Sequence, residues 1–253
     1  MIQELEFQRA DGLTIRGKLY IPEKEKGKKP YPLAVFCNGL GRNSHMAWPL
    51  GIGMIEEGIS VFLFDFCGGS LECSSDGYMQ EMTIRTECTD LRTVLEGLWK
   101  LPSIDRYNTF LMGENQGAVV AALTGARLHS RIKGLILWSP SFNLPSRIRK
   151  SFPKVQSEAR RLYAAELGNA YYREGKNIDI SAAAAAYAGP VLLVHGDADE
   201  LVPLQESETF MDIYENAQLI IIPGGKHCFT EEDFRRAREY STVFIKEHAL
   251  EKL

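Results

Sequence analysis

The 253-residue chain has no apolar run approaching the roughly 20 residues that a membrane-crossing helix requires, so no membrane association is expected. Its first residues, Met1-Ile-Gln-Glu-Leu-Glu, lack both the positive segment and the apolar stretch of a secretory signal. Cysteine is sparse and odd in number: Cys37, Cys67, Cys73, Cys88 and Cys228, with neither CxxC nor His–Cys metal spacing. That pattern predicts reduced thiols, a cytoplasmic setting and no structural metal. An excess of cations is also absent, with 29 Lys and Arg against 33 Asp and Glu and a net charge of −4. A general basic field for nucleic acid is therefore excluded, and the local run Arg147, Arg149 and Lys150 reads as a solvated face. Neither GxxxxGK[ST] nor HExxH occurs. The loop Cys37-Asn38-Gly39-Leu40-Gly41 carries Ser44 where a GxGxxG dinucleotide loop needs glycine, so no cofactor is expected.

What is present is an ordinary globular mixture, 45% hydrophobic and 25% charged, in a length that suits one α/β domain. Residues 2–9 and 13–21 alternate around Asp11-Gly12, which predicts a hairpin. Continuous apolar runs follow at 32–37, 59–64, 109–112, 132–138, 191–194 and 219–222, the signature of strands buried on both faces. Between them, 45–57, 79–100, 116–129, 204–215 and 231–249 carry the helical period. Alternation of this kind predicts a mainly parallel sheet flanked by helices, with ligands beyond the carboxyl ends of the strands. The connection from Trp138 to Val191 is too long for a simple crossover and reads as a lid. Within it a helix is expected near 154–168. A second helix is expected over the alanine run 182–186, capped by Ser181 and stopped by Gly189-Pro190.

Three loops can carry chemistry. Gly113-Glu114-Asn115-Gln116-Gly117 joins a buried strand to a helix, and two glycines around a central residue suit a sharp turn that lifts that residue into the cleft. Val194-His195-Gly196-Asp197-Ala198-Asp199 ends the next-to-last strand, and Gly224-Gly225-Lys226-His227 follows the last. A carboxylate can fix the tautomer of an imidazole and stabilise its protonated form during proton transfer. The turn at 37–41 can aim backbone N–H groups at a developing oxyanion.

On these motifs, together with FDFCGGS at 64–70 and HGDADELVP at 195–203, the chain resembles the α/β-hydrolases, within the carboxylesterases similar to cinnamoyl (feruloyl) esterases. The resemblance runs from the opening hairpin to the last helix. It implies one domain over residues 1–253, an eight-stranded sheet and a helical lid at 141–188. Carried over by position, it implies Asn115 at the nucleophile position, Asp199 as acid, His227 as general base, and the N–H groups of Leu40 and Gln116 as the oxyanion hole. Asp197 is the alternative acid. Tyr163, Tyr171 and Tyr172 are candidates for the pocket lining. The resemblance implies acyl-enzyme hydrolysis of a small-molecule ester or an aromatic acyl ligand, without metal or cofactor, and is compatible with a homodimer.

Three departures stand out. Asn38 replaces a histidine in the oxyanion loop, Ala118 replaces a second glycine, and Asn115 replaces the serine. An amide nitrogen is delocalised into its carbonyl and is a poor nucleophile, so the acyl-enzyme route should be lost or strongly impaired. The alternative is a natural pseudoenzyme that binds an ester-like or hydrophobic ligand without turnover. Cys228, Cys37 and Ser139 are substitutes without an elbow. An aspartate elbow belongs to dehalogenases and epoxide hydrolases, whereas the flanking glycines favour the esterase ancestry.

Overall fold

A computed structural model describes residues 1–23, 30–163 and 166–249. The charged loop expected at 23–30 and the side chain of Tyr163 fall largely or wholly outside the described residues. The chain forms an eight-stranded sheet: β1 (Ile2–Gln8), β2 (Thr14–Tyr20), β3 (Tyr31–Cys37), β4 (Ser60–Phe64), β5 (Ile104–Glu114), β6 (Gly134–Trp138), β7 (Val191–Gly196) and β8 (Ala217–Ile222). The spatial order is β1-β2-β4-β3-β5-β6-β7-β8. The opening hairpin is antiparallel within itself and against β4, and every other pairing is parallel.

This order reverses at β3. The chain steps from β3 outward to β4, then returns to place β5 on the other side of β3. Loops leaving β3 and β5 therefore diverge to opposite faces and open a crevice between them, the switch point where ligands bind in open α/β sheets. Alternation along the strands divides the core in two. Leu33, Val35, Leu111 and Leu137 face α2 (Ile84–Leu98) and α3 (Asn115–Arg127). Ala34, Phe36, Met112 and Trp138 face α1 (Trp48–Glu56) and α9 (Glu231–His248). Covering both faces is what allows β3, β4 and β6 to be almost wholly apolar.

The segment after β6 forms α4 (Leu144–Lys150), α5 (Phe152–Tyr163), α6 (Asn169–Gly175) and α7 (Ile180–Ala185), and α8 (Leu204–Ile213) follows β7. Local differences from the sequence reading have physical causes. Helix α2 starts at Ile84 rather than 79, because Thr83 and Thr86 form a reciprocal capping box there. Asp179, not Ser181, caps α7 by accepting from the Ala182 amide at 2.9 Å. The helix over the alanine run ends at Ala185, short of Gly189-Pro190. Helices α4 and α6 went unforeseen, being too short, at seven residues each, to show a period.

Candidate active site

The elbow follows from two close approaches. A Cβ on Gly113 would lie 2.5 Å from the carbonyl carbon and oxygen of Gly117, within the turn itself. A Cβ on Gly117 would lie 2.1 Å from the Cys37 carbonyl oxygen and 2.4 Å from that of Asn38, so the first turn of α3 is pressed onto the end of β3. Between them Asn115 takes φ +52°, in the left-handed region that asparagine tolerates better than most residues. The turn thus holds its central side chain at the crevice.

The loop after β3 lies against this elbow. Asn38, buried, donates from Nδ2 to the Phe64 carbonyl at 2.7 Å and ties the loop to the end of β4. Gly41 donates to the Gly69 carbonyl at 3.0 Å. Arg42 pairs with Glu114 at 2.6 Å across the loop and the elbow. The amide of Leu40 takes no hydrogen-bond partner among the described residues.

Asp199 and His227 meet on the far side of Asn115. His227 Nδ1 lies 2.7 Å from Asp199 Oδ2. The other oxygen, Oδ1, accepts the amides of Leu201 at 2.9 Å and Val202 at 2.8 Å. Asp197 points elsewhere and accepts the Gly224 amide at 2.6 Å. Burial would push the Asp199 carboxyl up. The hydrogen bonds from His195 and His227, the His227 charge and the Val202 amide outweigh it and hold the group below the usual carboxylate range. In the neutral imidazole an ionised acceptor at Nδ1 makes that nitrogen the donor and leaves His227 Nε2 as a lone-pair acceptor.

His195 is a contributor that the sequence reading treated only as part of a motif. Wholly buried, its Nε2 lies 3.2 Å from Asp199 Oδ2 and 3.0 Å from the Val202 carbonyl. Two acceptors require a proton on Nε2, so Nδ1 accepts from the Ser207 hydroxyl at 2.7 Å. Asp199 is thereby held by two imidazoles on one oxygen and two amides on the other.

Asn115 bridges the acid–base pair and the Gln116 amide of α3. Its Nδ2 lies 2.5 Å from His227 Nε2, and its Oδ1 accepts the Gln116 amide at 2.7 Å. Both partners fix the same orientation of the side-chain amide, since Nε2 needs a donor and an N–H needs an acceptor. Gln116 is held in turn. Its Nε2 donates to Glu87 Oε2 of α2 at 2.7 Å, and its Oε1 accepts the Tyr171 hydroxyl of α6 at 2.5 Å. All three side chains are buried. Burial pushes the Glu87 carboxyl up to about 8, against the lowering effect of the Gln116 hydrogen bond and with the added charge of Asp90.

Two cavities meet at Asn115. One runs beneath α4–α6 and is lined by Leu40, Gln116, Leu144, Val155, Tyr171 and Leu201, with the Arg147–Glu158 ion pair at its wall. The other is lined by Ser139, His227, Cys228 and Phe229. Tyr171 therefore lines the first cavity. Tyr172 packs edge-on to Phe152, donates to Gln156 and is not among the lining residues. Arg147 faces Glu158 rather than solvent alone. Cys37 is buried with its thiol pushed well up by desolvation, which disfavours a thiolate. Ser139 carries φ +39° and a buried hydroxyl without a hydrogen-bond partner among the described residues. A serine directly after a buried strand was its only sequence signal. No group of three metal-ligating side chains occurs among the described residues, and none of their helices is long and apolar enough to cross a membrane.

Comparison with known proteins agrees with this architecture. Residues 28–179 match the family described as Serine aminopeptidase, S33. "Uncharacterized protein YfhR" of Escherichia coli O157:H7 is 24% identical over 249 residues, spanning 96% of this chain and 80% of that protein. "Uncharacterized protein Rv2307c" of Mycobacterium tuberculosis H37Rv is 27% identical over 218 residues, spanning 86% and 69%. Among solved structures, ferulic acid-bound Est1E from Butyrivibrio proteoclasticus superposes with a TM-score of 0.85 at 24% identity, covering 96% of this chain and 98% of that one. The Pyrococcus furiosus esterase Pf2001 superposes with a TM-score of 0.73 at 20% identity, covering 99% and 94%. With more than half its length matched and the switch-point crevice in place, the chain belongs to the serine aminopeptidase S33 family and has the esterase-like α/β-hydrolase fold.

Proposed function

We propose that this protein is a carboxylic ester hydrolase scaffold of the cinnamoyl-esterase type whose acyl-enzyme route is blocked at Asn115. The observation that carries this reading is the position of the Asn115 amide, between His227 Nε2 at 2.5 Å and the Gln116 amide at 2.7 Å. In an acyl-transfer site the first neighbour takes the nucleophile's proton and the second stabilises the oxyanion. Asp199 orients His227, and the amides of Gln116 and Leu40 form the oxyanion hole. With a hydroxyl at position 115, His227 would remove its proton and the oxygen would attack the ester carbonyl. Water would then release the acyl group with His227 again as base. An amide offers no such oxygen.

The α4–α7 segment acts as the lid, and the cavity beneath it takes the acyl group. Its mainly apolar lining, with Tyr171 and one ion pair at the wall, suits an aromatic or short acyl chain. The ferulic acid held by Est1E, a protein of the same fold, supports that ligand class. A second reading, a pseudoenzyme that binds such a ligand without turnover, is favoured by how completely the asparagine satisfies both neighbours.

The test is turnover of p-nitrophenyl and hydroxycinnamoyl esters by the parent, Asn115→Ser, and Asn115→Ser with His227→Ala. Loss of a triad nucleophile costs about 10⁶-fold in kcat, so Asn115→Ser should recover at least ~10³-fold over the parent. The gain should disappear in the double variant. A folded Asn115→Ser variant that is inert on the whole panel would favour the pseudoenzyme. A parent that already turns over at enzyme-like rates, indifferent to His227→Ala, would refute the mechanism.

A further inference from the structure

The Asn115 side chain is itself a carboxamide, and it sits on the groups that hydrolyse carbonyl compounds. Its carbonyl oxygen accepts the Gln116 N–H at 2.7 Å, and its nitrogen is 2.5 Å from an imidazole backed by Asp199. That is the placement of a substrate amide: oxygen polarised, leaving nitrogen beside a base that can take a proton from water and return it to that nitrogen. Cavities open on two sides of it. One of them is also lined by Ser139 and His227.

We infer that Asn115 is a substrate of its own site and is hydrolysed to aspartate. Water adds to Cγ while one of its protons passes to His227 Nε2. The charge on Oδ1 is held by the Gln116 amide. The imidazolium then returns the proton to Nδ2, the Cγ–Nδ2 bond breaks, and ammonia leaves. One amide and one water give one carboxylate and one ammonium ion, with no change of oxidation state. The common alternative, attack of the following backbone nitrogen on Cγ, is opposed by the geometry. The Gln116 N–H is engaged with Oδ1, within the first turn of α3. The product is therefore ordinary aspartate, without isoaspartate. The inference rests on the Asp199–His227 relay of the proposed function but not on its ester substrate.

Purified protein, incubated near neutral pH in ¹⁸O-water, tests it by peptide mass mapping. Expected is a time-dependent conversion confined to position 115, with one ¹⁸O in the new carboxyl and a normal aspartyl linkage. His227→Ala should slow conversion at least ~10²-fold, the usual worth of general acid–base catalysis. The folded parent should also outpace the same chain unfolded in urea, a comparison that needs no variant. An amide that survives in the folded protein while the unfolded chain converts would overturn the inference. So would an isoaspartate mixture, or equal rates in parent and His227→Ala. An ester panel that fails while position 115 converts would refute the ester reading alone.

Discussion

The crevice between β3 and β5 and the α4–α7 segment above it are built by different means. In the crevice, backbone meets backbone: Gly113 against Gly117, and Gly117 against the carbonyls of Cys37 and Asn38. Over the cavity, side chains meet side chains: Arg147 with Glu158, Phe152 with Tyr172, Arg160 with Glu166. The Tyr171 hydroxyl joins the two regions at the elbow by its hydrogen bond to Gln116. Backbone contacts at strand ends tolerate no added atom, so they fix where chemistry can occur. Side-chain contacts in a helical insertion can be exchanged, so they set the shape of the pocket without moving its centre.

The comparison breaks most visibly at Gly117. Placing a methyl 2.1 Å from a carbonyl oxygen requires β3 and α3 to separate. Gly117→Ala is expected to cost about 3 kcal/mol or more in chemical denaturation, at the upper end for overpacking. A loss below about 1 kcal/mol would show that β3 and α3 can separate at the elbow without strain.

Glu87 tests the buried support beneath the elbow. Its carboxyl titrates at about 8 in the folded protein and in the ordinary carboxylate range when unfolded. The folded state therefore binds more protons between those values. Stability falls as pH rises through that window, by a few kcal/mol in order of magnitude, and is flat above it. Asp90, pushed up by burial to about 6, acts with the same sign over the lower part of the window. Glu87→Gln should flatten the part of the Tm profile between about pH 6 and 8. An unchanged slope would contradict a neutral, buried Glu87.

The smallest expected effect separates two adjacent tyrosines. Tyr171→Phe leaves the buried Gln116 Oε1 without this donor and should cost about 1–3 kcal/mol. Tyr172→Phe removes a part-buried bond within the insertion and should cost less, about 1 kcal/mol at most. Thermal denaturation of both variants gives the order, and the reverse order would place the coupling of insertion to elbow elsewhere.

The same contrast explains what the sequence made legible. Runs such as Val191-Leu-Leu-Val194 announce buried parallel strands, and glycines at 113 and 117 announce a close approach, because sterics leave few other options. The proximity of positions 115, 199 and 227 follows from loops at the carboxyl ends of the parallel strands β5, β7 and β8. The support around them is not legible in that way. His195 reaches Asp199 only because the loop 197–202 curls back over β7, and Glu87 reaches Gln116 only through the packing of α2 on α3. Such contacts lie between elements, where no local period records them. Short helices such as α4 and α6 are held by tertiary packing rather than propensity.

Covalent labelling of position 115 tests the central claim most directly. A fluorophosphonate, which phosphonylates activated hydroxyls, should modify the folded Asn115→Ser variant stoichiometrically at that position, as read by peptide mass mapping. The parent should remain unlabelled, and adding His227→Ala to the variant should slow the reaction by at least ~10²-fold. Labelling of the parent at Ser139 or Cys228, or a folded Asn115→Ser variant that resists the reagent, would contradict the assignment of Asn115 to the nucleophile position of this site.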